Sequence, residues 1–152
     1  MKKVFLAIAV LFSLGKAVAQ NKSGALTEYY AVKDALISGN SAAASTAANA
    51  FVKAVGEEAA ANKTIAAAKD KLVAEAQQIA SSKDIAQQRE QFKQFSTDMY
   101  DLAKSTKLSE QPVYQQYCPM KKASWLSNSN AVKNPYFGNQ MLTCGKVADT
   151  IK

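Results

Sequence analysis

IAQQREQFKQFSTDMYDL, residues 85–102, decides the fold. Ile85, Phe92 and Met99 recur every seven positions, and Phe95 and Leu102 fill the companion position three further on. That spacing puts five large apolar side chains on one stripe of a helix. Gln87, Arg89, Glu90, Lys93 and Asp98 stand between them and suit the solvent side. The pattern predicts a helix over 83–104, with Ser82 as an N-cap whose hydroxyl accepts from an amide of the first turn. A stripe of this kind is a packing surface, so Phe92 and Phe95 are expected in a core rather than around a ligand.

Three more helices follow toward the N-terminus. Ile65, Ala68, Leu72, Ala76 and Ile79 make one apolar stripe, predicting a helix over 57–80 that Ser81-Ser82 interrupts. Ala44, Ala48, Phe51, Val52 and Val55 define another over 41–55, with Gly56 as its end. Leu26, Tyr29, Tyr30, Leu36 and Ile37 define the first, over 25–38, stopped by Gly39-Asn40, two residues that tolerate the left-handed conformation. Alanine, which loses no side-chain entropy in a helix, is frequent in all three. Short breaks make successive helices antiparallel neighbours. The expectation is an all-α protein, an up-and-down four-helix bundle over about residues 24–107. Its many small residues make a thin core, which raises the value of any covalent staple.

The first 19 residues read differently. Lys2 and Lys3 precede an apolar run, 4–14, broken only by Ser13, and Ala17-Val18-Ala19 sets small residues around a larger one. This is the order of a secretory signal peptide cut after Ala19. The run is about half of the ~20 residues that span a bilayer. The mature chain is then one domain, 20–152, without a transmembrane segment, and the expected location is the periplasm.

Loss of Lys2, Lys3 and Lys16 takes the formal charge from +7 to +4. From 20 to 111 eleven basic residues balance eleven acidic ones, so the excess lies in the tail, where Lys121, Lys122, Lys133, Lys146 and Lys152 face Asp149 alone. Export sets nucleic acid aside as a partner. A lysine-rich tail serves solubility or docks on an acidic protein surface, with Lys121 and Lys122 as the candidate contacts. The chain has no histidine, which removes the commonest general base, the Ser-His-Asp and Cys-His nucleophile systems, the common zinc sites and c-type haem attachment. No group of acidic residues stands out from the charged helix faces, and no enzyme activity is expected.

Composition shifts near 108. The last part holds the only tryptophan, Trp125, all three prolines and both cysteines, with turn signals at Ser127-Asn128-Ser129-Asn130 and Asn134-Pro135. It reads as a small irregular C-terminal Cys/Met lobe over about 108–152, packed on the bundle. Two clusters in it carry sulfur, Cys118-Pro119-Met120 and Met141-Leu142-Thr143-Cys144. Two thiolates and two thioethers (Cys118, Met120, Met141, Cys144) form a soft donor set suited to Cu(I), while zinc is disfavoured because methionine is not a normal ligand for it. The alternative is a Cys118–Cys144 disulfide, the usual fate of two cysteines in an exported protein. It would close a loop of about 27 residues and stabilise by roughly 3.5 kcal/mol on chain-entropy grounds. The two states exclude each other at one moment, so the sulfur atoms can also alternate between them.

The run Tyr114-Gln-Gln-Tyr-Cys-Pro-Met120, then Trp125-Leu-Ser127, Asn134-Pro-Tyr-Phe-Gly138 and Met141-Leu-Thr-Cys-Gly145 resembles the C-terminal signature of the DUF3347 family. Tyr30-x-x-Lys33-Asp34-Ala35-Leu36 in the first helix also fits. The resemblance implies an envelope domain found alone or on periplasmic adaptor subunits of heavy-metal efflux systems, and therefore a metal-efflux or envelope protein as partner. Separately, Tyr117-Cys-Pro-Met120 is similar to the opening of short heavy-metal-binding domains, but Lys121 stands where those have histidine, and Cys144-Gly145 lacks their second cysteine pair. The function expected is a periplasmic soft-metal-binding or efflux accessory module, with a disulfide-stapled, metal-free interaction module as the alternative.

Overall fold

Each helix begins on a side chain that satisfies its orphan amides. In the computed structural model, which describes residues 22–152, Ser23 accepts from Leu26, Asn40 from Ala43, Asn62 from Thr64 and Ile65, and Asp84 from Ala86. The helices are α1 (Gly24–Ser38), α2 (Ser41–Ala59), α3 (Lys63–Ser81) and α4 (Ile85–Ser105). Gly39, at φ 72°, closes α1 as expected. Gly56 does not end α2: it is exposed, nothing lies within 4 Å of where its side chain would be, and the helix runs on to Ala59. The break falls instead where Asn62 offers a cap. Asp84 rather than Ser82 caps α4, and Ser82 braces it by accepting from the Asp84 amide. The signal-peptide segment, 1–19, lies outside the described residues.

Successive helices pack on one another, α1 on α2, α2 on α3, α3 on α4. Gln88, fully buried, joins their ends, its amide nitrogen 2.9–3.1 Å from the oxygens of Ser41, Ser45, Ile79 and Ser82. The helical part of the expectation therefore stands.

The all-α assignment does not. After α4 come β1 (Val113–Cys118), β2 (Ala123–Ser127), a short 3-10 turn (Gly138–Gln140) and β3 (Lys146–Ile151). They form one antiparallel sheet in the order β2-β1-β3, which makes the protein mixed α and β. None of the three strands, VYQQYC, ASWLS and KVADTI, alternates strictly between apolar and polar residues, so no period-two signal emerges. The pairing of β1 with β3 is also remote in sequence, and a bulge at Gln115/Gln116 shifts its register.

The sheet lies against α4 through β2. Trp125 and Leu126 are fully buried, and the Leu126 amide donates 3.0 Å to the Tyr29 hydroxyl, which sits 2.7 Å from Ser96 Oγ. Trp125, Tyr136, Phe92, Tyr29, Phe95 and Phe51 follow one another ring to ring at 4.7–5.9 Å. The lobe and the bundle thus share one core. At the rim, Tyr100 and Lys104 of α4 donate to Asp149 of β3 at 2.7 and 3.1 Å.

Candidate thiol site

The strand register brings the cysteines together. Tyr117 of β1 faces Lys146 of β3, so the antiparallel course carries Cys118 past Gly145 and beside Cys144. The two sulfurs are 3.0 Å apart although 26 positions separate them, and both are free thiols. Cys118 ends the central strand and is fully buried, while Cys144 is half-buried.

Two local devices hold them. The Cys118-Pro-Met-Lys-Lys122 turn closes with the Lys122 amide donating to Pro119 and takes Lys122 to φ 50°. On the other side Gly145 has φ 145°, and a side chain there would meet the Trp125 ring at 2.9 Å and the Tyr117 carbonyl at 3.0 Å, so only glycine lets the Cys144 segment lie this close. Asn134, fully buried, is the clamp. Its amide nitrogen donates 2.7 Å to the Cys144 carbonyl, its carbonyl oxygen accepts from Tyr136 and Phe137, and its backbone donates 2.7 Å to Leu142. From sequence Asn134-Pro135 signals only a turn.

The thiols are electrostatically unequal. Burial pushes Cys118 up, but the Cys144 thiol, the Lys121 amide, the Asn134 side chain and the Met120 amide all favour its thiolate, and the balance leaves it below the ordinary cysteine range. The hydrogen bond to Cys118, then burial, then the charge on Cys118 hold Cys144 above that range.

The thioethers do not complete a cage. Met120 is 65 % exposed and Met141 37 %, so both stand in solvent beside the pair. Among the described residues no group of three His, Cys, Asp or Glu side chains is placed to hold a metal. Lys121 lies 4.9 Å from the centre of the Phe137 ring, Lys122 is exposed on the turn, and none of the five lobe lysines enters an ion pair among the described residues.

A second cluster escaped the sequence reading. Glu75 on α3 and Asp98 on α4 are both buried side by side, with Lys71 donating 2.6 Å and Gln94 3.2 Å to Asp98. Burial first, then the hydrogen bond with Asp98 and its charge, raise Glu75 to about 8 against the pull of Lys71. Burial opposes the Asp98 charge, yet its hydrogen bonds from Glu75, Lys71 and Gln94 hold it below the ordinary carboxylate range. Glu75 is thus the partner that keeps its proton, and its Oε2 is buried without a hydrogen-bond partner. Only the packing of α3 on α4 brings these two acidic residues, 23 positions apart, together.

The model of a protein family described as "Protein of unknown function (DUF3347)" matches residues 25–111, more than half of the chain. The chain belongs to DUF3347. No curated protein and no solved structure matches it. In this DUF3347 protein the matched span takes in all four helices and stops just before β1, so the thiol site and the basic turn lie outside it. Among the described residues no helix is long and apolar enough to cross a membrane.

Proposed function

We propose that this DUF3347 protein is an exported accessory module of the bacterial envelope, its lobe closed by a Cys118–Cys144 disulfide and its lysine-rich end docked on an acidic surface of an envelope or metal-efflux protein. The observation that carries the reading is the 3.0 Å separation of two sulfurs on remote parts of the chain. A small side-chain rotation closes that gap to a bond. A metal asks for more. Two thiolates about 2.3 Å from one ion subtend only about 81° when 3.0 Å apart, against the ~109° of a tetrahedral site. The thioethers would also have to leave solvent.

Protein isolated from the periplasm should be lighter by its two thiol hydrogens and inert to thiol reagents until reduced. Two free thiols in that material sink the staple. Replacing Lys121 and Lys122 with glutamate should abolish capture of the acidic partner without lowering the melting temperature.

A second reading is favoured by the closeness of Met120 and Met141 in sequence to the two cysteines, which the fold brings together. In the reduced state the four sulfur residues take up Cu(I), the soft ion that thiolate and thioether prefer. Titration of reduced protein against a Cu(I) chelator tests this. Stoichiometry unchanged by Cys118→Ser and Cys144→Ser removes it.

A further inference from the structure

Resting on the disulfide reading above and deepening it, we propose that the Cys118–Cys144 bond is opened by small anionic thiols, and that Cys144 is the sulfur they attack. The mixed disulfide therefore forms on Cys144, and Cys118 is the leaving and resolving thiolate.

Three features point the same way. The first is access. Exchange needs the incoming thiolate to approach along the sulfur–sulfur axis, from behind the atom it attacks. Cys144 is half-buried and sits on the irregular segment before an edge strand. Behind Cys118 lies the interior, because that residue is fully buried at the end of the central strand.

The second is the leaving group. A thiol that ionises more readily leaves faster. In the thiol pair, burial of Cys118 is outweighed by the hydrogen bond with Cys144 and by the neighbouring polar groups, which hold it below the ordinary cysteine range, while Cys144 is held above it. Breaking the bond toward Cys118 puts the negative charge where the fold receives it.

The third is charge. Lys121 and Lys122 occupy the turn that follows Cys118, and Lys146 lies two residues beyond Cys144. None of them is engaged in an ion pair among the described residues. Three lysines on the segments that carry the two sulfurs, none of them neutralised by a carboxylate among the described residues, raise the local concentration of an anionic thiol and lower that of a cationic one.

The step balances as follows. A thiolate RS⁻ bonds to Cys144 Sγ, the Cys118–Cys144 bond breaks, and its electron pair stays on Cys118 as a thiolate. A second RS⁻ then attacks the R sulfur of the mixed disulfide and releases RSSR and the Cys144 thiolate. The protein disulfide is reduced by two electrons, and two thiols are oxidised to one disulfide. In the reverse direction the Cys118 thiolate attacks Cys144 Sγ, expels RS⁻ and restores the staple.

The test uses the oxidised wild-type protein, so no variant has to fold. It is mixed with glutathione, quenched in acid at short times and mapped by peptide mass. The expected adduct lies on the peptide carrying Cys144, in excess over Cys118 by about tenfold or more. Glutathione should open the bond about tenfold faster than cysteamine at equal thiolate concentration, with the gap shrinking at high salt. An adduct on Cys118, or on both cysteines equally, overturns the inference and leaves the staple standing. Equal rates for the two thiols overturn the preference for anions. Protein that never forms the disulfide under a glutathione-disulfide buffer overturns the underlying reading instead. As a cross-check, glutathione disulfide should modify Cys144 in the Cys118→Ser variant in the native state, releasing one glutathione thiolate, whereas it should modify the Cys144→Ser variant only when that protein is unfolded.

Discussion

The bundle and the lobe solve the same problem with opposite means. Over 24–105 every helix closes its hydrogen bonds within itself and buries a stripe legible from spacing alone, but many of the buried residues are alanines such as Ala25, Ala44, Ala48 and Ala76. The lobe has few regular elements and buries large side chains, Trp125 and Tyr136 above all, held by pairing between remote segments. One region is local and holds most of the large buried side chains, Tyr29, Phe51, Phe92 and Phe95 among them. The other is non-local and clamped by single residues such as Asn134 and Gly145. The continuous ring-to-ring path from Trp125 to Phe51 makes each depend on the other.

The sole tryptophan lies in the lobe, so its fluorescence and far-UV circular dichroism report the two regions separately. In urea both signals should move in one coincident transition, as a shared core requires. Trp125→Ala strikes that core hardest and should cost about 3–5 kcal/mol, lowering the helical midpoint although the residue lies in no helix. A helical transition left in place would mean that the bundle folds without the lobe. Reduction of the proposed disulfide comes next. It should lower global stability by about 3.5 kcal/mol and shift both signals together. Loss of tryptophan fluorescence alone would confine the staple's effect to the lobe.

How far the sequence shows this organisation follows from the same contrast. Phe92, Phe95, Met99 and Leu102 are all buried as their spacing predicts, because a helix of 21 residues repeats its signal five times over. The end of α2 was misplaced because Gly56 is a weak helix former that nothing forces to stop, whereas the Asn62 cap is strong. The sheet is illegible in the sequence because none of its strands alternates strictly, and β3 (KVADTI) carries no apolar alternation at all. The cysteines could be named from their residue type, but their meeting depends on the β1–β3 register, and the inequality of the thiols depends on amides that no motif encodes. Met120 and Met141 illustrate the limit from the other side: adjacency in sequence put them in the ligand set, and the turns leave them in solvent.

Smaller changes probe the seam between the regions. The Tyr29 hydroxyl is the one polar group of α1 that reaches a β2 amide, and it also meets Ser96 of α4. Tyr29→Phe keeps the ring and strands the Leu126 amide, for an expected cost of about 1–3 kcal/mol. Ser96→Ala, which leaves that amide paired, should cost less. If the two are equal in urea titrations, the bond across the seam adds nothing.

The smallest effect belongs to the bundle alone, and its sign depends on pH. Glu75 keeps its proton in the folded protein up to about 8, far above its ordinary value of 4.5. Between those limits the unfolded chain has lost a proton that the folded one still holds, so stability falls as pH rises. The contribution is complete below about 4.5 and is lost as pH passes through 8. Asp98 works in the opposite sense, since its depressed value gives stability that disappears as pH falls through the acid range. Glu75→Gln retains a neutral donor to Asp98 and removes only the first of these slopes. The variant should match the parent near pH 4 and exceed it by about 1–2 kcal/mol near pH 8.5. That is well short of the full displacement at about 1.4 kcal/mol per unit, because the pair lies near the surface beside exposed Lys71 and is screened by solvent. Equal stabilities at pH 8.5, measured in urea, would mean that the carboxyls do not share a proton and that the α3–α4 contact opens enough to hydrate both. The proposed lobe disulfide, tested in the same pH series, should show no such slope, because a bonded sulfur does not titrate.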